Sequence, residues 1–346
     1  MKVHHHPGRN VVTNPYTRLL CDAIQGAGAS VSDFGTTSLK VRPDIVHVHW
    51  PEVGLSDTLW KGVLRTLKLF GVLKLLKLGG TKVVWTAHNL RPHERKHPRF
   101  EAWLYRTWFR LIDGIFLLSK ESERLLLEAY PQLKEHRRFI VPHGDYRPVI
   151  GALPPRSEIR TRIGVPAEAV LIGNFGGIRG YKNIPLLCKT FREVAGPSDW
   201  LFVAGICPED NLRNEILQAA QAHPQIILEF RRLEDSEIAE WSSACDLMAF
   251  PYSDILNSGS LLFALTVSAK AVAPRLGSLP ELQEDVGHDW VYLYDGEFGP
   301  QVLKDALNWA QQSSGTAAPK MSRYDWDNIG VDMIRAYELI LRSSKS

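Results

Sequence analysis

The feature that most restricts the fold of this sequence is a regular alternation of short apolar runs with segments of helical period. In the first half these runs are rich in β-branched and large apolar residues and lie at 44–50, 82–88, 114–119 and 138–144. In the second half they lie at 169–177, 200–206, 225–230, 246–252, 270–275 and 290–294. Continuous apolar strands that alternate with helices are typical of parallel sheets covered on both faces. The sequence therefore predicts an α/β protein.

One segment interrupts the alternation and suggests a domain boundary. Residues 145–166 contain four prolines and no strong periodicity, which is typical of an interdomain linker. We therefore expect two doubly wound, Rossmann-like domains, 1–150 and 151–320, with a cleft between them. Residues 321–346 should carry an amphipathic helix at 324–344. Because parallel sheets bind ligands at the carboxyl ends of their strands, the loops that follow strands are where binding residues are expected.

The N-terminal residues and the cysteines give expectations about location. The sequence starts with MKVHHHPGRN, which has no apolar core of a secretory signal, so a cytoplasmic protein is expected. The segment that holds the three histidines is expected to form a short first strand with a polar exit loop. The four cysteines are far apart in the sequence and predict reduced core residues rather than disulfides or a zinc site: Cys21, Cys188, Cys207 and Cys245.

Positive charge is concentrated in residues 57–110, where twelve Lys and Arg residues face three acidic ones, although the whole chain is only +3. Within it, Trp60 lies among Lys61, Arg65 and Lys68, which share one face of a helix. This mixture favours a helix lying on anionic lipid, at the inner face of the plasma membrane, but a solvated basic face would look similar. The segment carries too many charges to span a membrane. Nucleic-acid binding is not indicated, because no recognised binding motif accompanies the charge.

The periodicity of this segment changes after Gly71. Lys74 and Lys77 would point away from the earlier cations on a continuous helix. A kink at Gly71 would correct this. Alternatively, part of the segment is a core helix whose lysines extend to solvent.

Two loops in the second half have the composition of anion sites. GNFGGIRGYKN, 173–183, follows a predicted strand and places Arg179 and Lys182 beside a helix start, with Gly177 allowing close approach of a ligand. A flexible glycine loop is the alternative. PYSDILNSGS, 251–260, presents polar residues before a helix whose N–H groups could hold phosphate, although such residues also form ordinary caps. These polar residues are Asp254, Asn257, Ser258, Gly259 and Ser260.

Taken together, these motifs carry a family resemblance. The order NFGGIRGYKN, LFVAGI, DLMAFPYSDILNSGSLLFAL and KAVAPRLGSLPEL resembles the donor-binding domain of glycosyltransferases with the GT-B fold. NPYTRLLCDAI, DIVHVHWPE and TAHNLRPHE are similar to the acceptor domain of bacterial exopolysaccharide enzymes. The resemblance covers nearly the whole chain and is greatest to the β-mannosyltransferase family of xanthan-type assembly. It implies that the final helix crosses back to the first domain.

The resemblance also implies a donor, an acceptor and roles for residues. Arg179 and Lys182 would bind the donor diphosphate, 254–260 the sugar and phosphates, and 230–235, with Arg231, would lie near the nucleobase. Gly177 and Glu281 complete the implied donor site. The donor would be GDP-mannose or a UDP-sugar, with no metal cofactor. The acceptor would be a polyprenyl-diphosphate-linked oligosaccharide at the membrane.

The mechanism implied is inverting. Large retaining families carry two glutamates separated by seven residues, and here Asp254 could replace the first but Leu262 occupies the second. An inverting enzyme needs a general base for the acceptor hydroxyl. Glu94, Glu52 and His88 all follow predicted strands. The two glutamates are favoured, because a histidine directly after a strand often binds the donor sugar or the backbone instead. A retaining UDP-sugar enzyme, a UDP-sugar 2-epimerase and a non-catalytic sugar-nucleotide-binding module remain alternatives.

A zinc-protease pattern is also present in PHERKHP, where His93, Glu94 and His97 match H-E-x-x-H. Zinc proteases place this pattern inside a long helix with a third ligand. Pro98 disfavours helix at His97, and no third ligand is evident. The pattern therefore does not predict a zinc site.

Overall fold

The computed structural model describes residues 1–9, 15–52, 58–90, 97–312 and 318–342. It divides into two compact units. The first unit consists of Met1–Gly144 and Arg323–Ser346, and the second of Asp145–Ser322.

The first unit is built on a six-stranded parallel sheet in the order β2-β1-β3-β4-β5-β6. Its strands are β1 (Lys2–His6), β2 (Ser30–Asp33), β3 (Ile45–Val48), β4 (Lys82–Thr86), β5 (Gly114–Leu117) and β6 (Arg137–Ile140). Its first five helices are α1 (Tyr16–Gly26), α2 (Ser38–Val41), α3 (Leu59–Leu78), α4 (Pro98–Trp108) and α5 (Lys120–Ala129). The chain adds β2 on one side of β1 and then β3 to β6 on the other side. The point between β1 and β3, where the order of strand addition reverses, is therefore the expected ligand crevice of this sheet.

The second unit has a sheet of the same size and all-parallel pairing, in the order β12-β11-β10-β7-β8-β9. Its helices are α6 (Arg156–Arg162), α7 (Ile184–Val194), α8 (Asp210–Ala220), α9 (Asp235–Ala244), α10 (Gly259–Thr266), α11 (Leu279–Val286) and α12 (Pro300–Gln312). Its strands are β7 (Val170–Phe175), β8 (Asp199–Ala204), β9 (Ile226–Glu229), β10 (Leu247–Ala249), β11 (Ala271–Pro274) and β12 (Val291–Tyr294). Here the order reverses between β7 and β10.

The α/β prediction is confirmed, and each of the ten predicted runs overlaps a strand. The short first strand expected at the N-terminus is present as β1. The three N-terminal histidines belong to it, where His4 and His5 are buried and His6 is half-buried. A buried imidazole can occupy a strand when its nitrogens find partners, as described below.

The proline-rich segment 145–166 is not a free linker. It contains α6, whose Arg160 is only 3% exposed. The guanidinium of Arg160 donates to the carbonyl oxygens of Ala244, Ala167 and Ala169 and to the carboxylate of Asp246. These bonds fix α6 to the second unit, because breaking them would leave a buried charge unpaired.

One further helix, α13 (Trp326–Arg342), completes the first unit by packing on α1. Gly330 permits the close approach, since a Cβ atom there would lie 2.4 Å from the carbonyl oxygen of Ala23. On the same helix, the hydroxyl of Tyr337 lies 2.6 Å from Nδ1 of His47 in β3. The helix is therefore joined both to α1 and to the centre of the sheet.

Candidate functional site

The second unit brings two predicted loops together at its reversal point. The backbone N–H of Ser253, after β10, donates to the carbonyl oxygen of Tyr181, after β7, at 2.9 Å. Gly176 follows β7 with φ of +105°, and Gly205 packs so closely on it that a Cβ atom at 205 would lie 1.7 Å from the Gly176 oxygen. The sequence pattern did not single out Gly205, where both this contact between loops and a φ of +156° favour glycine.

Lys182 is the central charge of this region. It is 5% exposed, and its Nζ donates to Oγ of Ser260 at 3.2 Å. Burial, together with the nearby Arg179, lowers the pKa of Lys182 to about 8. Within the described part of the chain, no carboxylate lies within ion-pairing distance of Nζ. A buried ammonium without an anion is costly, so this lysine is suited to a negatively charged ligand.

Helix α10 begins beside Lys182. The hydroxyl of Ser258 accepts from the N–H of Leu261 at 3.1 Å and is held by the hydroxyl of Tyr252 at 2.8 Å. Gly259 and Ser260 are the first residues of the helix, so their N–H groups lie at its positive end. The capping interpretation of Ser258 is therefore correct, and it leaves the neighbouring N–H groups beside the lysine.

The other expected donor residues differ in their surroundings. Arg179 is half-buried and donates to the oxygen of Ile178 at 2.9 Å, while Gly177 is exposed. Arg231 pairs with Glu229 and Glu237, and it lies 5.2 Å from the ring centroid of Trp241.

Two further loop positions belong to the neighbourhood of α10 and α11. Asp254 is exposed and Asn257 is half-buried before α10. Glu281 lies in the first turn of α11, which starts where the N–H of Ser278 donates to the oxygen of Leu256. Gly277 makes this junction possible, because its φ is +52° and a Cβ atom would lie 2.3 Å from the oxygen of Ile255.

In the first unit, the reversal point between β1 and β3 is occupied by buried imidazoles. Nδ1 of His5 lies 3.1 Å from Nε2 of His49, and Nδ1 of His49 lies 3.3 Å from Nε2 of His88. His47 contacts Tyr337 through Nδ1 and Oγ1 of Thr86 through Nε2, each at 2.6 Å. Burial lowers the pKa of His5 and of His88 to about 3 and that of His143, nearby, to about 4. All these rings are therefore neutral at pH 7.

Three of these residues, His5, His47 and His49, have ring nitrogens within 4.8 Å of one another, which raises the question of a metal site. Metal ions lie in the plane of each imidazole that binds them. The rings of His47 and His49 are stacked, with centroids 4.4 Å apart and an angle of 20°, so their lone pairs do not converge. Because both nitrogens of His47 already have partners, the cluster fits a packed hydrogen-bonded core better than a metal-ligand set.

Glu52 is the described carboxylate that follows β3. Its Oε2 is inaccessible to solvent and has no hydrogen-bond partner among the described residues. Burial raises the pKa of Glu52 to about 7. Of the other expected bases, His88 packs on Trp50 with ring centroids 4.6 Å apart. Glu94 and His93 lie outside the described residues, and His97 has a non-helical backbone immediately before α4.

Helix α3 has an exposed apolar stripe opposite its buried face. It is one helix from Leu59 to Leu78, with Gly71 inside it. The stripe has the spacing of one helical face and consists of Trp60, Leu64, Leu67, Leu75 and Leu78, of which Trp60 is 71% exposed. Lys61, Arg65, Lys68 and Lys74 are exposed beside it. Lys77 instead bonds Asp113 at 2.6 Å, so it belongs to the packed side. No helix within the described residues is both long and apolar enough to cross a bilayer.

A cavity of about 300 Å³ lies next to α3, at the ends of β1, β2 and β3. Its walls are largely aromatic and aliphatic, from Phe34, Trp50, Pro51, Leu69 and Val72. Arg65, Thr66 and Lys68 add polar groups on the α3 side.

The chain is similar to known proteins both in sequence and in fold. The sequence matches no family model. It is 30% identical over 329 residues to the GDP-mannose:glycolipid 4-β-D-mannosyltransferase of Xanthomonas campestris pv. campestris, which covers 95% of this chain and 89% of that protein. The fold is similar to HepE of Anabaena in complex with UDP-glucose, with a TM-score of 0.66, 15% identity and coverage of 99% and 98%. It is also similar to sucrose-phosphate synthase of Thermosynechococcus elongatus, with a TM-score of 0.73, 13% identity and coverage of 99% and 98%. The predicted GT-B fold is thereby confirmed.

Proposed function

This chain belongs to the glycosyltransferase family of the Xanthomonas GDP-mannose:glycolipid 4-β-D-mannosyltransferase, and we propose that it transfers mannose from GDP-mannose to a lipid-linked oligosaccharide during exopolysaccharide synthesis. The name of the relative supports the donor and the glycolipid acceptor. The acceptor would be carried on a polyprenyl diphosphate, and the product would have inverted stereochemistry at the anomeric carbon.

The observation that carries the proposal is the buried ammonium of Lys182 beside the first turn of α10. The donor diphosphate would accept hydrogen bonds from Nζ, from the hydroxyl of Ser260 and from the N–H groups of Gly259 and Ser260. Arg179 would supply a second positive charge from the same loop. Charge developing on the leaving GDP would thus be stabilised by fixed donors, which is how such sites accelerate transfer, and no metal ion would be required.

The remaining donor contacts follow from the neighbouring loops. Asp254 and Asn257 precede α10 and would bind sugar hydroxyls, with Glu281 completing this side from α11. Arg231 would lie near the nucleobase. Because its guanidinium is already paired with Glu229 and Glu237, it would shape that region rather than supply a free charge. Gly177, exposed beside Arg179, would leave room for the diphosphate.

We assign Glu52 as the first candidate for the general base. A base must be ionised before it accepts a proton, and a pKa of about 7 suits it to work near neutral pH. The carboxylate would take the proton of the acceptor hydroxyl while that oxygen bonds to the anomeric carbon and the bond from this carbon to the GDP oxygen breaks. His88 is a weaker candidate because its low pKa makes it a poor proton acceptor. Glu94 remains an alternative.

The exposed stripe of α3 supports attachment to the inner face of the plasma membrane. Apolar side chains on one helical face, with lysine and arginine beside them, are typical of helices that lie in the interface of an anionic bilayer. Trp60 would enter the headgroup region, and Lys61, Arg65 and Lys68 would contact phosphates of the membrane or of the lipid-linked acceptor. This arrangement would bring the first unit to the surface that holds a lipid-linked acceptor.

The test is transfer of radiolabelled sugar from GDP-mannose, UDP-glucose and UDP-glucuronate to a glycolipid extract, with EDTA present in a parallel set. Mannose transfer from GDP-mannose with a β-linked product, found by proton NMR, is the expected result. An α-linked product from a UDP-sugar would favour the retaining alternative, and epimerisation without acceptor would favour the epimerase. Binding of nucleotide with no turnover would favour the non-catalytic module.

A further inference from the structure

The cavity beside α3 has a chemical character that neither the donor site nor the membrane stripe explains. It is bounded by rings and aliphatic side chains of Phe34, Trp50, Pro51, Leu69 and Val72, which would contact hydrocarbon. A cavity of about 150 Å³ holds one benzene-sized molecule, so about 300 Å³ accommodates roughly two five-carbon units. The volume suits the start of a branched hydrocarbon chain better than a whole oligosaccharide.

The charged groups of this cavity lie on its α3 side, while His6 and Thr36 add polar groups near the ends of β1 and β2. Thr66 is 2% exposed, and its Oγ1 has no hydrogen-bond partner among the described residues. A buried hydroxyl without a partner is uncommon and costs free energy. Arg65 and Lys68, on the same stretch of helix, also line the cavity and are exposed. Two cations and an uncommitted hydroxyl donor form a set that binds phosphate oxygens.

The position of these groups around α3 links the cavity to the exposed stripe. At ~100° per residue, Lys68 and Arg65 lie between the stripe of Trp60, Leu64 and Leu67 and the inward-facing Leu69. A chain that passes from the stripe into the cavity therefore meets the cations at the cavity rim. This is the order of groups expected for a lipid with a charged head and an apolar tail.

We propose that this cavity binds the phosphate-bearing end of a polyprenyl diphosphate, with about two isoprenyl units against the apolar wall and the diphosphate on Arg65, Thr66 and Lys68. The proposal rests on the proposed function in that it names the part of the lipid-linked acceptor that the first unit holds. The site would lift the head of the carrier out of the bilayer, so that only the glycan extends beyond the cavity.

Calorimetric titration of the full chain with prenyl diphosphates of five, ten and fifteen carbons tests the chain length. Affinity should rise from dimethylallyl to geranyl diphosphate and then level off at farnesyl diphosphate, because the cavity holds about two units. Inorganic pyrophosphate and geraniol should each bind at least ~10-fold more weakly than geranyl diphosphate, a difference that corresponds to ~1.4 kcal/mol. Equal binding of pyrophosphate, or saturable binding of the free oligosaccharide in the cavity, would overturn the proposal.

Three variants locate the site. Thr66→Val keeps the shape of the side chain and removes its hydroxyl, and Val72→Trp fills the cavity. Both should weaken geranyl diphosphate at least ~10-fold. The paired change Arg65→Gln with Lys68→Gln should do the same, whereas Lys40→Gln, an exposed cation on α2, should not. Thr66→Val should not lower the melting temperature, since it removes an unsatisfied buried hydroxyl. Unchanged affinity in Thr66→Val and in the paired variant would contradict the assignment.

A kinetic comparison separates this proposal from the proposed function. The KM for a polyprenyl-linked acceptor should rise in Thr66→Val, while the KM for GDP-mannose and that for an acceptor with a short, water-soluble aglycone should stay constant. If wild type binds geranyl diphosphate as described but transfers no mannose, the proposed function fails and the lipid site stands. If transfer occurs and the lipid KM does not respond, the lipid site fails alone.

Discussion

Nζ of Lys182 lies 3.2 Å from Oγ of Ser260, so a buried ammonium joins the loop after β7 to the first turn of α10. The two residues are 78 positions apart in the sequence and meet where the strand order of the second unit reverses. The contact would give the proposed anion site its charge and its directed donors at a single point.

Replacing Lys182 by Gln should weaken GDP binding by ~10–100-fold, because a hydrogen bond to a charged group contributes about 1.5–3 kcal/mol. Calorimetry measures the loss, and Lys189→Gln, an exposed lysine on α7, is the matched control. A retained affinity in Lys182→Gln would remove the lysine from the donor site.

The same lysine predicts proton uptake on binding. With a pKa of about 8 in the free protein, Lys182 is only partly protonated at pH 8, and a bound diphosphate would raise that pKa. Binding at pH 8 should therefore take up about half a proton, and GDP affinity should fall as pH rises above 8. Binding enthalpies in buffers of different ionisation enthalpy give the number of protons, which should be near zero in Lys182→Gln.

Glu52→Gln should lower kcat/KM by ~10²–10⁴-fold if Glu52 is the general base. Because the base acts when ionised and its pKa is about 7, the wild-type rate should rise with pH through 7 and then level off. Glu135→Gln, at an exposed position, is the control. Full activity in Glu52→Gln together with loss in Glu94→Gln would transfer the role to Glu94.

The Gln variant should also be more stable than wild type at pH 8. The pKa of Glu52 is raised on folding, so its stabilising contribution is present below about 4.5 and lost as pH rises through 7. The difference in free energy of unfolding should approach ~3 kcal/mol above pH 7, at ~1.4 kcal/mol per pKa unit, and vanish below pH 4.5. The rates of amide hydrogen exchange in β3 and β4 measure this difference in free energy. A less stable variant at pH 8 would show that the carboxylate has a partner that stabilises its charge.

The buried imidazoles predict that the first unit is sensitive to acid. The pKa of His5 falls from an ordinary 6.5 to about 3 on folding, and burial also lowers those of His47 and His49 well below 6.5. Stability is therefore present above pH 6.5 and lost as pH falls, with a slope of ~1.4 kcal/mol per pH unit for each histidine. Urea unfolding between pH 7 and 5 measures the slope, which should decrease in His5→Gln but not in the exposed His288→Gln.

The strands were predictable from sequence because most are buried on both faces and consist of consecutive apolar residues. Two features were not. β2 has the sequence SVSD and a half-exposed pattern, so no apolar run marks it. The burial of the β1 histidines was the other, because their partners are distant in the sequence: His49 lies 44 positions from His5.

Some features of the candidate site could be predicted from sequence and others could not. The glycine and serine loops of the proposed donor site were recognisable because helix starts need capping and φ-tolerant residues locally. The pairing of Lys182 with Ser260, the elevated pKa of Glu52 and the orphaned hydroxyl of Thr66 depend on burial created by the whole fold. No local pattern in the sequence carries that information.

Discontinuity of the first unit has a consequence for its synthesis. The hydroxyl of Tyr337 reaches His47 in the central strand, and Gly330 packs against the backbone of Ala23. The ribosome makes β1 through β6 long before it makes α13. Until then, the surface of the nascent first unit that α13 will cover stays exposed. The second unit is continuous and has all its strands before α13 is translated. Although it is synthesised later, the second unit can therefore finish folding first. Chaperones that bind apolar sheet faces would stay bound longest to the N-terminal half.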